Sequence, residues 1–258
     1  MNDSTSENYG RIPTKPAPGD DSYIKGLQEY ILTSEYPPTE VEKFENFAKY
    51  TPRWSIMRFL TKYEMFKKIL DVQGSIVEAG VYHGGGLMSW AQLSAILEPY
   101  NQQRRVIGFD TFAGFRPPCK EDGTKHPKFK ETGVWSSASY DDILRCAQIH
   151  DITRPMGHIP KVELVRGDAT KTVVTFLKDN PHIVISLLYL DVDLYTPTKK
   201  VLEVLLDRMP IGGIVAFDEI DTKIFPGETR ALDEVLGISN LEIKRFPFGT
   251  SITYAVLT

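Results

Sequence analysis

Cysteine is nearly absent from this sequence: Cys119 and Cys146 are the only two in 258 residues. They form no C-x-x-C pair, which argues against a disulfide framework and against a cysteine zinc site. A basic excess is also missing. Lys and Arg number 30 against 34 Asp and Glu, a formal net charge of −4, which is the wrong sign for a general nucleic-acid binder. No apolar run approaches the ~18–20 residues that cross a bilayer, and the N-terminus has no apolar signal core. The expectation is a soluble, cytoplasmic protein with neither a membrane nor a nucleic-acid partner. Internal repeats and heptads are lacking as well. So are G-x-G-x-x-G and the P-loop G-K-[ST], which leaves a dinucleotide or nucleoside-triphosphate site unsupported.

What remains is ordinary globular composition, 41% hydrophobic and 25% charged, in a chain long enough for one large α/β domain. Residues 1–21 are polar and rich in Ser, Pro, Asp and Gly, and are expected to form a mobile arm. Helical spacing follows at Tyr23–Leu32, Val41–Tyr50 and Ile56–Leu70, with aromatics at Phe44, Phe47, Tyr50, Phe59, Tyr63 and Phe66. This stretch, 22–73, reads as a helical cap or an oligomerisation region.

From Gly74 the pattern changes. Ser75–Val81 reads as a buried strand, Tyr82-His-Gly-Gly-Gly-Leu87 as a glycine-rich turn, Met88–Leu97 as a helix and Val106–Asp110 as a second strand. Strand, glycine turn, helix and strand ending in an acid is the layout of a nucleotide-binding α/β unit. Residues 111–160 are irregular, apart from a helix expected from Tyr140 to about Ile149 with Ser139 as its cap. A loop of that length is more often functional than not, and it reads as a lid. Alternation then resumes with strands at Val162–Arg166, Val184–Leu190 and Gly213–Phe217. Helices are expected at Thr170–Asp179, Pro197–Arg208 and Glu228–Leu236. The last two strands, Leu241–Phe246 and Ser251–Leu257, are spaced as an antiparallel hairpin.

The strand ends carry the chemistry. Ligands of open parallel sheets bind outside the carboxyl ends of the strands. Glu78, Asp110, Asp168, Asp191 with Asp193, and Asp218 with Glu219 all fall at such ends. A carboxylate at Glu78 repels a pyrophosphate but suits a ligand bearing an ammonium and a sulfonium. Asp110 stands where an acid accepts hydrogen bonds from ribose hydroxyls. Together they favour S-adenosylmethionine over a dinucleotide. Asp191, Asp218 and Glu219 are candidate ligands of a hard divalent cation such as magnesium, whose preference is for oxygen. The competing reading makes them solvated acids that cap the next helices. Asp193 points near the same crevice and is expected to face cofactor or substrate. His83 is a loop histidine or a ligand contact; His126 and His158 are bases only if the lid folds inward.

Four stretches together resemble one family. They are Val77-Glu-Ala-Gly-Val-Tyr-His-Gly-Gly-Gly86, Phe109-Asp-Thr-Phe-Ala-Gly-Phe115, Asp191-Val-Asp-Leu-Tyr195, and Phe217-Asp-Glu219 followed by Pro226–Glu234. Across roughly residues 50–258 the sequence resembles the macrocin O-methyltransferase (TylF-like) family of S-adenosylmethionine- and magnesium-dependent sugar O-methyltransferases. The resemblance implies an α/β, Rossmann-like class I methyltransferase fold over 74–258. Its sheet is seven-stranded and mostly parallel, with an antiparallel C-terminal hairpin and an N-terminal helical cap. It implies cofactor contacts from Glu78, Ala79, Gly80, Tyr82, Gly84, Asp110, Thr111, Asp168, Ala169 and Asp191. Magnesium would lie on Asp191, Asp218 and Glu219, and the catalytic acids would be Asp191 and Asp193. Many relatives carry Asp-Asp where this chain has Asp218-Glu219. The implied acceptor is a deoxysugar hydroxyl, either nucleotide-activated, such as the 3-OH of TDP-rhamnose, or macrolide-attached. The implied assembly is a homo-oligomer. Two other readings compete: a metal-dependent hydroxylase or hydrolase on a Rossmann-like fold, and a non-catalytic regulatory subunit. The first lacks a His-x-Asp/Glu triad near Asp191 or Asp218; the second sits poorly with a full acid set.

Overall fold

The computed structural model describes residues 20–37, 39–114, 117–123, 139–223, 225–248 and 251–258. The expected N-terminal arm lies almost wholly outside the described residues, and so does His126. The chain forms two compact units, 1–56 and 57–258.

In the first unit, α1 (Asp20–Thr33) and α2 (Glu40–Glu45) are followed by a 3-10 turn at Phe47–Lys49. Helix α2 opens on a capping box. The Thr39 hydroxyl accepts from the Glu42 amide, and the Glu42 carboxylate accepts from the Thr39 amide in return. None of the described residues of this unit is buried.

Helix α3 (Arg53–Lys68) begins in the first unit and continues past its end at Ile56. Its residues Met65 and Phe66, and Ile69 after it, are fully buried in the same core as the sheet. The division therefore falls within the expected 22–73 region, after Ile56, and most of α3 builds the larger unit.

That unit alternates strand and helix: β1 (Ser75–Ala79), α4 (Gly85–Leu97), β2 (Val106–Asp110), α5 (Tyr140–Thr153), β3 (Val162–Arg166), α6 (Ala169–Asp179), β4 (Ile185–Leu190), α7 (Tyr195–Leu205), β5 (Ile214–Phe217), α8 (Pro226–Leu236), β6 (Lys244–Arg245) and β7 (Thr253–Val256). The strands form one seven-stranded sheet in the order β3-β2-β1-β4-β5-β7-β6. Among the described residues, only the β5–β7 and β7–β6 pairs are antiparallel. Strand β6 is shorter than the expected Leu241–Phe246. Helix α7 starts at Tyr195, two residues before Pro197, because Asp122 accepts from the Tyr195 amide at 2.6 Å and satisfies a donor that the helix start would otherwise leave open.

Strands β1 and β4 are buried along their whole length, as expected of parallel strands with helices on both faces. Side chains alternate between two cores. Ile76, Val106, Leu187, Tyr189, Ile214 and Ala216 join α3, α4 and α5 on one face. Val77, Ile107, Leu188, Leu190 and Val215 join α6, α7 and α8 on the other. The same period of two decides where each strand-end acid points. Glu78 follows the parity of Ile76, Asp191 that of Tyr189, and Asp218 that of Ala216, so all three turn toward the α3 side.

Candidate active site

Strand order reverses between β1 and β4, the topological switch point where open α/β sheets bind ligands. Registry continues one rung beyond the strands. The Asp191 amide donates to the Ala79 carbonyl at 2.8 Å, and the Asp218 amide to the Leu190 carbonyl at 3.0 Å. Asp191 and Asp218 are thereby held level, side by side. Gly80 crosses beside them at φ 91°, and a Cβ there would lie 1.9 Å from the Asp191 carbonyl oxygen. Only glycine allows the two chains to pass so closely.

The backbone past the strands is strained. Tyr82 (φ 51°), Phe112 (54°), Asp193 (59°) and Asp221 (62°) are left-handed without being glycine, and they follow β1, β2, β4 and β5. Such residues cost ~1–3 kcal/mol each and gather where a ligand must be met. Asp110 supports two of them. Its Oδ2 accepts from the Val81 and Tyr82 amides at 2.7 and 2.8 Å, and its Oδ1 accepts from the Phe112 amide at 2.6 Å. The expected ribose ligand is thus also the clamp of the glycine turn.

Glu78 is 2% exposed and faces inward. Its Oε2 accepts from Trp90 Nε1 at 2.7 Å and lies 3.4 Å from Lys62 Nζ. The ammonium of Lys62 sits 3.4 Å from the Tyr189 ring centroid and 4.5 Å from that of Trp90. Burial pushes Glu78 up and Lys62 down from their usual pKa values, and each opposes the shift of the other. Gly86 lies over this carboxylate, where a Cβ would stand 2.6 Å from Glu78 Oε1. Glu78 therefore underlies the glycine turn rather than lining the open crevice.

Arg58, one helical turn before Lys62 on the same face of α3, reaches the acid pair. Its Nη2 is 3.2 Å from Asp191 Oδ2 and 2.9 Å from Asp218 Oδ1, while Nη1 is 3.3 Å from Asp218 Oδ2. The Tyr189 hydroxyl donates to Asp218 Oδ1 at 2.8 Å. Next to this pair, Glu228 is fully buried and ties the two strand-end loops together. Its Oε1 accepts from the Asp193 amide at 3.2 Å and its Oε2 from the Glu219 amide at 3.1 Å. Burial, then Asp218, pushes Asp191 up to about 8, with Arg58 opposing. Glu219 is likewise raised to about 8 by burial, then by Asp218. Asp193 and Glu228 are held well above the carboxylate range by burial and then by Asp191.

The remaining expected residues surround this centre. Asp168 caps α6, its Oδ1 accepting from the Thr170 amide at 3.1 Å, and Ala169 follows it. Thr111 closes a short turn, its Oγ1 donating to the Gly114 carbonyl and accepting from the Ala113 amide. Gly84 opens α4, and Tyr82 is 41% exposed with its ring against exposed His83. His158 is exposed. Ser139 precedes α5 but does not cap it; its hydroxyl donates to the Tyr82 carbonyl at 2.6 Å, which fastens α5 to the glycine turn. Arg58 and Lys62 have no clear sequence mark, and Glu228, though it lies within the Pro226–Glu234 stretch, is not singled out by it. The two cations sit at i, i+4 in an aromatic helix, and Glu228 looks like an ordinary acid in the first turn of α8.

The family model for macrocin-O-methyltransferase (TylF) matches residues 61–241. The chain belongs to the macrocin-O-methyltransferase family. Its structure is similar to that of CalS11, a calicheamicin methyltransferase, with a TM-score of 0.89 and 32% identity over 94% of each chain. The apo structure of CalS11, described as a TDP-rhamnose 3'-O-methyltransferase in calicheamicin biosynthesis, gives 0.81 and 32% over 94% of this chain and 96% of that one. The O-methyltransferase NovP, 20% identical with a TM-score of 0.60 over 78% and 79% of the two chains, shares the fold. No curated protein sequence matches. The protein is thus an S-adenosylmethionine-dependent O-methyltransferase, and its sheet is the expected class I one.

For this methyltransferase, the fit of a magnesium ion is a question of donor chemistry. Among the described residues no three His, Cys, Asp or Glu side chains come together as a metal-ligating group. The donors suit a hard cation nonetheless. All are oxygens, burial and then the Asp218 carboxylate raise the pKa values of Asp191 and Glu219, and Glu219 Oε2 is buried with no hydrogen-bond partner among the described residues.

Proposed function

We propose that this enzyme methylates a hydroxyl of a deoxysugar in natural-product assembly, with magnesium held by Asp191, Asp218 and Glu219. The observation that carries the reading is the level placement of Asp191 and Asp218 beside the β1 glycine turn, in a chain of this family. The similarity to CalS11 favours a nucleotide-activated acceptor such as TDP-rhamnose over a macrolide glycoside.

The residues divide the work. The turn from Ala79 to Gly84, with Asp110, Thr111, Asp168 and Ala169, forms the cofactor side. Asp110 does so while clamping the Val81 and Tyr82 amides, so the turn is organised before any ligand arrives. Glu78, paired with Lys62 and held by Trp90, supports the glycine turn from beneath at the cofactor's methionine end. S-adenosylmethionine supplies an electrophilic methyl group. Magnesium, when bound, would orient the sugar hydroxyl and lower its pKa. Asp191 accepts the proton as the hydroxyl attacks, and Asp193, fixed by its amide on Glu228, positions the acceptor. The walls around them exclude water; Ser139 and Ile143 bring α5 to the rim.

Calorimetry with S-adenosylhomocysteine and a panel of nucleotide-activated deoxysugars tests this. Homocysteine-nucleoside binding at micromolar strength and magnesium-requiring methyl transfer are expected. Asp191→Asn should lose most activity and the response to magnesium, whereas Asp193→Asn should lower activity and keep that response. Full transfer by Asp191→Asn in EDTA would sink the metal reading. A homo-oligomer is proposed too, supported by exposed Leu32, Tyr36, Val41, Phe44 and Phe47 in the first unit. Light scattering of the intact chain decides it.

A further inference from the structure

The acid pair of this enzyme already has a cation on it. Arg58 spans Asp191 and Asp218 with three contacts of 2.9–3.3 Å, and its side chain remains 35% exposed. A guanidinium is planar, permanently charged and forked, so a single group can satisfy two carboxylates at once. The oxygens it engages are those that the proposed magnesium would need. Asp218 has further support from the Tyr189 hydroxyl and is 5% exposed; it is placed by the sheet, not by Arg58. Glu219 Oε2, beside the pair, is buried and has no hydrogen-bond partner among the described residues, and Arg58 does not reach it. Arg58 is also the more movable partner. Its Cα lies on α3, its head reaches across the crevice, and solvent touches it.

We propose that Arg58 is the resident counter-cation of the Asp191–Asp218 pair and competes with the divalent ion for it. This rests on the magnesium reading above. Two cations cannot share the gap between the two carboxylates, so metal entry must release the guanidinium. Arg58 then lowers the affinity of the empty enzyme for metal while keeping the acid pair folded in its absence. The competition is a thermodynamic linkage, so it is measurable without turnover.

The test uses the full, metal-stripped chain with manganese as the probe, in the absence of methyl donor and sugar. Manganese affinity is read by calorimetry or by electron paramagnetic resonance. Arg58→Met should bind manganese roughly tenfold tighter or more, within the usual range of such couplings. Arg58→Lys, a point charge that cannot fork across two carboxylates, should fall between it and the parent. The metal-induced rise in thermal midpoint should be larger in Arg58→Met than in the parent. If Arg58→Met does not fold without metal, the Arg58→Lys comparison decides alone. Equal or weaker manganese binding in the variants overturns the competition and leaves the metal reading standing. No manganese binding in any form overturns the metal reading, and the competition with it.

Discussion

The Lys62–Glu78 pair offers a sharp test of how this site is built. Both side chains are under 5% exposed, 3.4 Å apart, and enclosed by Trp90 and Tyr189. Removing one partner of a buried pair costs ~3–5 kcal/mol, because a charge is left unpaired in the interior. Against a total stability of ~5–15 kcal/mol that is severe. Lys62→Met should therefore destabilise by about 3–5 kcal/mol at neutral pH, and Glu78→Gln by a similar or slightly smaller amount. The Gln carbonyl can still accept from Trp90, and the rings still hold the lysine, an attraction of ~2 kcal/mol when desolvated. The double variant should lose much less than the sum, with a coupling of roughly 3 kcal/mol.

The two single variants should differ in pH dependence. In Lys62→Met the unpaired Glu78 has a folded pKa above its unfolded value. The native state then binds more protons between those two values, and stability falls as pH rises through that window. In Glu78→Gln the unpaired Lys62 has a folded pKa below its unfolded value. The unfolded state then binds more protons, and stability rises with pH through that window. Urea unfolding of the four proteins from pH 5 to about 9, each referred to the parent at the same pH, measures both effects. Additive single-variant losses, or slopes of the same sign, would refute the buried-pair account.

Two further outcomes follow from close contacts. Gly80→Ala puts a methyl 1.9 Å from the Asp191 carbonyl at a positive φ. It should cost about 3 kcal/mol or more in stability, and a ~1 Å shift of Asp191 should lower turnover about 10²-fold; near-parental activity would show that the β1–β4 passage is not needed. Asp122→Ala removes the acceptor for the Tyr195 and Cys119 amides and should cost ~1–2 kcal/mol by thermal unfolding, with manganese affinity unchanged; a parental midpoint would mean α7 starts without that cap.

Much of the fold was legible along the chain because each strand is a short apolar run closed by glycine or acid. Strands β2 and β3 occur where their apolar runs place them, and the acids stand at strand ends as the pattern requires. Strand β6 is shorter than its apolar pattern suggests. Leu241 and Ile243 serve the core without entering the ladder, so apolar character there did not mean pairing. Helix α7 starts at Tyr195 and not at Pro197, since the acceptor that caps it, Asp122, is remote in sequence. Ser139 illustrates the converse: a good capping residue spends its hydroxyl on Tyr82 instead.

By itself, then, the sequence determines which residues can bear charge, where the chain must turn, and that acids of one parity share one face of each strand. Those are local properties, set by side-chain chemistry and a backbone period of two. The tertiary structure decides which of the two sheet faces that is, and what waits there. Strand order and register set Asp191 level with Asp218, and α3 lays Arg58 across them and Lys62 against Glu78. Glu78 shows the consequence: its position in β1 is fixed locally, but only packing makes it a buried partner of Lys62 and Trp90. Pairings that join residue 58 to 191 and 218 depend on the closing of long loops and on the sheet between them, and no local pattern carries that information.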